Sequence, residues 1–185
     1  MFKNALYIFL ATIVSTISAG PQHAIANDGT ATARQGIVRC AGTHFLRGPG
    51  GGTERHWAVW NLHNFDLTTP IVIDRMVIVN AAGSIIFDSA VSGLPDAGNG
   101  LLGPTNNILR PNQTANFQSR LFLPALPQSE RPVQFVVIWS AANPAITLHV
   151  TAHARITEYD PSNPNALGSA MAGHGLTCRA VQLVP

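Results

Sequence analysis

The fold of this chain is decided by residues 146–157, which read ITLHVTAHARIT. Apolar and polar side chains alternate along this stretch. Because successive side chains of a β-strand point to opposite faces of the sheet, this alternation indicates a strand with one buried and one wet face. The predicted core-facing set is Ile146, Leu148, Val150, Ala152, Ala154 and Ile156. The set predicted to face water or a neighbouring chain is Thr147, His149, Thr151, His153, Arg155 and Thr157.

Short apolar runs recur along the rest of the chain, separated by clusters of glycine, proline, asparagine and aspartate. None of them shows a sustained 3.6-residue period, so the pattern is typical of an all-β domain. The predicted strands cover residues 36–45, 55–64, 71–80, 84–88, 114–123, 133–140, 146–159 and 176–184. Residues 135–139, FVVIW, are apolar on both faces, as expected for a central strand. Eight such strands fit a single antiparallel two-sheet sandwich.

Residues 80–83, NAAG, form a short connection between two predicted strands. Gly83 stands where a positive φ is needed, so we expect residues 71–80 and 84–88 to form a hairpin. The other connections are longer and are predicted to be loops, including residues 160–175. In a sandwich such loops cluster at the two ends, where ligand sites usually lie.

One further segment, residues 109–117 (LRPNQTANF), contributes to a resemblance. It follows a strand ending at Asn64, the pair Thr69-Pro70 leading into residues 71–79, an Ala-Ala-Gly turn and a short strand. This order resembles small exported immunoglobulin-like modules of bacteria, over about half of the exported chain. The resemblance implies an immunoglobulin-like β-sandwich. It implies no particular chemistry, because many such modules have no assigned activity and fold does not determine function.

Residues 1–26 have the pattern of a signal peptide. Lys3 precedes an apolar run over residues 5–17, and the triplet Ala24-Ile25-Ala26 suits signal peptidase. The run is shorter than the roughly 20 residues that span a bilayer. We therefore predict cleavage after Ala26 and one exported domain over residues 27–185, located in the periplasm or outside the cell. An uncleaved N-terminal anchor is the alternative.

Cys40 and Cys178 are the only cysteines of the chain. In an oxidising compartment an even pair usually forms a disulfide, and this one would close a loop of nearly the whole domain. The alternative is a pair of reactive thiols. Neither cysteine belongs to a Cys-x-x-Cys motif or has an obvious base beside it, which favours the disulfide.

Charged residues make up 11% of the chain, and its formal net charge is +2. Lys3 is the only lysine, and the arginines are scattered along the sequence. A nucleic-acid surface needs a concentrated basic stripe, and an anionic membrane surface attracts a polybasic run. The sequence therefore predicts neither a nucleic-acid partner nor membrane insertion after signal cleavage.

The leading functional hypothesis is an exported, non-catalytic binding or assembly module of the bacterial cell envelope. Its loops, or the polar strand face that carries His149, Thr151, His153 and Arg155, would contact a partner protein or the envelope itself. Exposed polar positions on a rigid scaffold are where binding residues are expected. The oligomeric state and the identity of the ligand stay open.

The second hypothesis is a periplasmic copper- or zinc-binding protein. Residues 171–175, MAGHG, read as a flexible loop in which Met171 and His174 offer a thioether and an imidazole, ligands suited to copper. His149 and His153 share a strand face, but four residues separate them by about 13 Å at ~3.3 Å per residue. Each would need a partner from another strand. In the absence of such a site, no cofactor is expected.

The third hypothesis is a small secreted hydrolase, for which the sequence offers no Gly-x-Ser-x-Gly turn. Trp57 and Trp60 lie three positions apart and so face opposite sides of a strand, which favours core packing over a carbohydrate-stacking platform. The pair Asp74-Arg75 interrupts an apolar strand. It indicates either an inward ion pair or, more commonly, a charge that points to solvent or guards a sheet edge.

Overall fold

The computed structural model describes residues 34–45, 54–126, 130, 132–158, 162 and 170–182. Within these residues the chain forms ten β-strands and two single-turn helices. The strands are β1 (Arg34–Phe45), β2 (Glu54–His63), β3 (Ile71–Asn80), β4 (Ile85–Asp88), β5 (Ile108–Leu109), β6 (Thr114–Gln118), β7 (Pro132–Ala141), β8 (His149–Glu158), β9 (Ala170–Leu176) and β10 (Cys178–Gln182). The helices are α1 (Ser89–Ser92) and α2 (Ser119–Phe122). The predicted signal peptide, residues 1–26, lies outside the described residues.

Every pairing between the described strands is antiparallel, so the all-β prediction is confirmed. The main strand order is β4-β3-β7-β1-β2-β8-β9, with β10 on β1, β5 on β3 and β6 on β2. Strand β1 changes partner along its length. Its residues 34–43 pair with β7, whereas His44 and Phe45 pair with β2. Strand β1 therefore joins a first strand group (β1, β3, β4, β5, β7, β10) to a second strand group (β2, β6, β8, β9).

One hydrophobic core takes side chains from both strand groups. The first group contributes Val38, Ile73, Met76, Phe135, Val137 and Trp139. The second contributes Ala58, Trp60, Leu62, Ala115, Phe117 and Ala152. The rings of Trp60 and Phe135 are stacked, with centroids 4.6 Å apart. This contact packs the inward face of β2 against the inward face of β7.

A disulfide joins Cys40 to Cys178, which confirms that prediction. The two cysteines face each other in the register of β1 and β10, so the bond ties the first described strand to the last. Because disulfides persist in oxidising compartments, the bond indicates an oxidising, non-cytoplasmic environment. No helix in the described part of the chain has the length and apolar character needed to cross a membrane.

Two local predictions are confirmed. The connection at residues 80–83 is a hairpin turn, in which Gly83 has a φ of 83° and its N–H donates to the carbonyl of Asn80. Strand β7 is central, because it lies between β3 and β1. The apolar residues 135–139 therefore occupy a strand that is hydrogen-bonded on both sides, as their sequence predicts.

The expected count of eight strands is wrong at the C-terminal end. Residues 176–184 are not one strand: β9 ends at Leu176 and β10 begins at Cys178. Strand β9 also starts at Ala170, within the predicted loop over residues 160–175. Its small residues show no alternation of apolar side chains. Pairing with β8, which is a tertiary contact, forms this strand.

The predicted strand over residues 114–123 is also too long. Strand β6 ends at Gln118 and helix α2 follows, with the Leu123 N–H donating to the carbonyl of Ser119. Leu121, in this helix, is 51% exposed. Strand β5, two residues long, was not anticipated, because so short an element leaves no periodic signal.

The charged pair in β3 does not form an inward ion pair. Asp74 is exposed where the register with β7 shifts, and it accepts a hydrogen bond from the Ser140 hydroxyl at 3.1 Å. Arg75 forms a salt bridge with Asp88 on the neighbouring strand β4. The Arg75 guanidinium and the Ala90 N–H hold the pKa of Asp88 at about 2. Arg75 thus lies at the β4 side of the sheet, as an edge-guarding charge does, whereas the exposed Asp74 lies on the side of β7.

Candidate functional site

The outward side chains of β2, β6 and β8 form a continuous polar surface. In the strand register His63 lies opposite both His149 and Thr114, and Asn61 lies opposite both Thr151 and Asn116. The intervening positions of these strands, such as Trp60 and Ala154, are buried in the interior. We define the polar face as Asn61, His63, Thr114, Asn116, Gln118, His149, Thr151, His153 and Arg155, together with Arg120 at the start of α2.

One end of the polar face is organised around His63. Its Nδ1 lies 2.9 Å from the Thr114 hydroxyl, and its Nε2 lies 3.0 Å from the Thr151 hydroxyl. Asn61 donates a further hydrogen bond to Thr151 at 3.4 Å. Both ring nitrogens of the imidazole are therefore held by side chains from the two neighbouring strands.

A row of amides continues this arrangement across the face. Asn116 Nδ2 donates to the side-chain oxygen Oδ1 of Asn61 at 2.6 Å, and Gln118 Nε2 donates to Oδ1 of Asn116 at 3.0 Å. Arg120 Nε donates to the side-chain oxygen Oε1 of Gln118 at 2.9 Å. Each side chain thus donates to the next, from Arg120 to Thr151. If the Thr151 hydroxyl donates to His63 Nε2, then His63 Nδ1 donates to Thr114, and every hydrogen bond from Arg120 to Thr114 points the same way. Successive hydrogen bonds arranged in this way polarise and strengthen one another.

Phe65 adds an exposed aromatic ring beside His63. Its side chain is 63% exposed, and its ring centroid lies 5.1 Å from that of His63 and 5.1 Å from that of His149. The preceding residue, Asn64, is buried and donates to the carbonyls of Thr69 and Leu109. These bonds fix the turn after β2, and hence the position of Phe65.

The other end of the polar face carries guanidinium groups. Arg120 lies over the Trp57 ring, 5.5 Å from its centroid, and Arg155 lies opposite Trp57 in the strand register. Burial, followed by the charges of Arg155 and Arg55, lowers the pKa of Arg120. An arginine stays protonated at physiological pH even so. These arginines therefore form a cluster of like charges.

Two imidazoles of the polar face, those of His63 and His153, have a lowered pKa. Burial is the main cause that lowers the pKa of His63, and the charge of His149 adds to it. Burial likewise lowers the pKa of His153, with a smaller contribution from Arg155. The positive charge of the polar face therefore comes from Arg120 and Arg155. At the outward positions of β2, β6 and β8, all within the described residues, no carboxylate is present to balance these two guanidinium groups.

The predicted binding residues His149, Thr151, His153 and Arg155 all lie on this face. His149, Thr151 and Arg155 are exposed and His153 is half-buried. Thr157, also predicted to face outward, is instead buried, at the point where the β8–β9 register shifts. Of the predicted inward set, Ile146, Leu148, Ala152 and Ala154 are buried, and Val150 and Ile156 are half-buried.

Sequence reasoning missed the contributions of β2 and β6. Asn61, His63, Asn116 and Gln118 alternate with buried residues in their own strands, and this alternation was the available signal. The two tryptophans do face opposite sides, as predicted. Trp60 lies in the core, and Trp57 is buried beneath Arg120, so neither exposes its ring as a stacking platform.

The proposed metal ligands Met171 and His174 lie in strand β9, so the flexible loop predicted for residues 171–175 is wrong. His174 is exposed and lies opposite Ala154 in the register, whereas the side chain of Met171 is outside the described part. Among the described residues, no three or more His, Cys, Asp or Glu side chains are grouped so as to hold a metal ion. Copper or zinc binding stays a hypothesis.

A second polar cluster, which the sequence did not indicate, is buried between β1, β2 and α2. His44 Nε2 donates to the carbonyl of Pro124 at 2.9 Å, which leaves Nδ1 of the neutral ring to accept from the Ser119 hydroxyl at 3.0 Å. Ser119 Oγ in turn accepts from the Ala58 N–H at 3.1 Å. His44 and Ser119 are fully buried. The cluster satisfies the polar groups where β6 gives way to α2.

This cluster predicts a pH-dependent stability. Burial lowers the pKa of His44 below its usual value of 6.5. Below pH 6.5 the unfolded chain takes up the proton first, so we expect the free energy of unfolding to fall as the pH falls toward the folded pKa. The slope for one proton approaches about 1.4 kcal/mol per pH unit. Urea unfolding at pH 7.5 and pH 5.0 measures the difference.

The variant His44→Asn tests the assignment to this residue. It should show a smaller difference in unfolding free energy between the two pH values, whatever its absolute stability. His174→Asn, at an exposed position, should keep the difference of the unsubstituted chain. An equal difference in all three proteins would show that other groups cause the effect.

Comparison with protein-family models, with curated proteins and with solved structures returned no match for this chain.

Proposed function

We propose that this chain is an exported, non-catalytic binding module of the bacterial cell envelope and that it contacts its partner through the polar face. We also propose that its two strand groups are the layers of an immunoglobulin-like sandwich. The Trp60–Phe135 stack between the groups and the disulfide between β1 and β10 support that arrangement. The disulfide further suits a protein that works outside the cytoplasm.

The observation that carries the functional proposal is the hydrogen-bonded chain from Arg120 to Thr114. Its seven side chains come from three strands and one helix, and each is at least partly exposed. Mutual hydrogen bonds hold these groups in place before any ligand arrives. When a ligand replaces water here, little conformational entropy of the protein side chains is lost, because they are already ordered. A smaller entropic cost favours affinity.

Co-sedimentation of the exported protein with the washed envelope fraction of its host tests this proposal. The variant Asn116→Ala/Gln118→Ala removes two amides from the polar face. The matched control, Gln35→Ala/Gln134→Ala, removes two exposed amides from the first strand group. We expect the face variant to bind about 5- to 140-fold more weakly, since two lost hydrogen bonds together cost about 1–3 kcal/mol and 1.4 kcal/mol is about tenfold.

The control variant should bind the envelope fraction like the unsubstituted chain. Thermal unfolding of each protein verifies that the fold is intact. The proposal is overturned if the unsubstituted chain stays in the supernatant. It is equally overturned if the folded face variant and the control bind alike.

A further inference from the structure

We infer that the polar face binds an acidic polysaccharide, whose carboxylates lie between Arg120 and Arg155 and whose sugar rings extend over the amides toward Phe65. This inference rests on the proposed function and names the ligand class of that same face. Three features of the face carry it: a positive charge with no carboxylate at the outward positions of its described strands, a group of amides and one exposed aromatic ring.

The positive charge is the first feature. Arg120 lies over the Trp57 ring, Arg155 lies opposite Trp57 in the strand register, and the charge of Arg155 adds to the burial that lowers the pKa of Arg120. The outward positions of the three described strands offer no carboxylate to relieve this repulsion. Arg155 is exposed, so its planar guanidinium is accessible for the paired hydrogen bonds that a carboxylate accepts. Charge complementarity therefore favours an anionic ligand.

The row of amides is the second feature. Asn61 and Asn116 lie on adjacent strands, which are about 4.8 Å apart in a sheet, and Gln118 follows on the same face of β6. Amides both donate and accept hydrogen bonds, as sugar hydroxyls do. A group of such amides on one face suits a ligand that carries many hydroxyl groups.

The third feature is Phe65, which favours a glycan over other classes of anionic ligand. Its exposed ring offers an apolar surface for the C–H face of a sugar. A single-stranded nucleic acid stacks on a series of aromatic rings, whereas Phe65 is the exposed ring beside this face in the described residues. The centre of a protein interface is usually enriched in aromatic residues, methionine and arginine; this face shares the arginines, but amides occupy its middle.

Affinity electrophoresis of the full exported protein tests the inference with matched polymers. The gels contain polygalacturonate, alginate, methyl-esterified polygalacturonate or poly-glutamate. We expect retardation by the two acidic polysaccharides to be at least tenfold stronger than by the methyl ester, which has the same backbone without the charge. It should exceed retardation by poly-glutamate, which has the charge without the sugar.

Two variants locate the binding. Arg155→Gln should weaken binding to the acidic polysaccharides at least tenfold, whereas Arg179→Gln, at an exposed position in β10, should not. Phe65→Ala should weaken binding to the polysaccharides without affecting any residual binding to poly-glutamate. The inference is overturned if poly-glutamate or the methyl ester retards the protein as strongly as the acidic polysaccharides do. It is also overturned if Arg155→Gln binds those polysaccharides as the unsubstituted chain does.

The outcomes also separate this inference from the proposed function. If neither acidic polysaccharide retards the protein, but the envelope fraction still binds it through Asn116 and Gln118, the face is a binding site and its ligand is not an acidic glycan. Preferential binding to poly-glutamate would instead indicate an acidic protein partner. Loss of envelope binding as well would overturn both proposals.

Discussion

Replacing Cys40 and Cys178 together with alanine is expected to lower the free energy of unfolding by about 4 to 5 kcal/mol. The disulfide connects residues 138 positions apart. In the chain-entropy account, a cross-link that closes so long a loop removes much of the conformational freedom of the unfolded chain. A loss of this size is a large part of the roughly 5–15 kcal/mol that stabilises a typical domain.

Urea unfolding without reductant, at pH 7.5, measures the effect. The unsubstituted chain treated with excess dithiothreitol is the internal control, since it loses the same covalent constraint while keeping both sulfur atoms. Its stability should approach that of the double variant. A loss below about 1 kcal/mol in both proteins would show that strand pairing between β1 and β10 holds the ends without the covalent bond.

The second large effect is expected for Trp60→Ala, at about 3 to 5 kcal/mol. Trp60 is completely buried, stacks on Phe135 and donates from its indole Nε1 to the carbonyl of Ala41 at 3.2 Å. Its surroundings are tightly packed: a Cβ added at Gly42 would lie 2.7 Å from Trp60 Cζ2. The truncation would leave a cavity between the two strand groups, which rigid neighbours can fill only partly.

Equilibrium unfolding of Trp60→Ala and of a surface control measures this contribution. Leu121→Ala, whose side chain is 51% exposed, should change the free energy of unfolding by less than about 0.5 kcal/mol. Trp60→Phe, which keeps an aromatic ring, should lie between the two. A cost for Trp60→Ala no larger than that for Leu121→Ala would show that the two strand groups do not depend on this contact.

The candidate site was predictable only in part. The alternation in residues 146–157 placed His149, Thr151, His153 and Arg155 on one face, and the structure agrees. It could not show that His63 and Asn61 lie directly across from them, because the pairing of β2 with β8 spans about ninety residues of sequence. Phe65 was missed for the same reason: its importance comes from two histidines on neighbouring strands.

Local sequence patterns predicted the wrong secondary structure at two places where tertiary contacts decide the backbone conformation. Residues 119–122 continue an apparent alternation, yet the buried Ser119 hydroxyl bonds to His44 and to the backbone of Ala58, and the chain turns into α2. Strand β9 shows the opposite case. Its glycines and alanines predict a loop, but hydrogen bonding to β8 makes it a strand.

The sequence by itself determined that the domain is all-β, that residues 80–83 form a hairpin turn, and that the faces of β8 differ in polarity. These are local properties, set by the alternation of side chains along an extended backbone and by the conformation open to Gly83. Only the tertiary structure decided which strands are neighbours, how β1 joins the two strand groups, and which side chains meet on the polar face. Those outcomes depend on hydrogen bonds and packing between distant segments, whose energies no local pattern encodes.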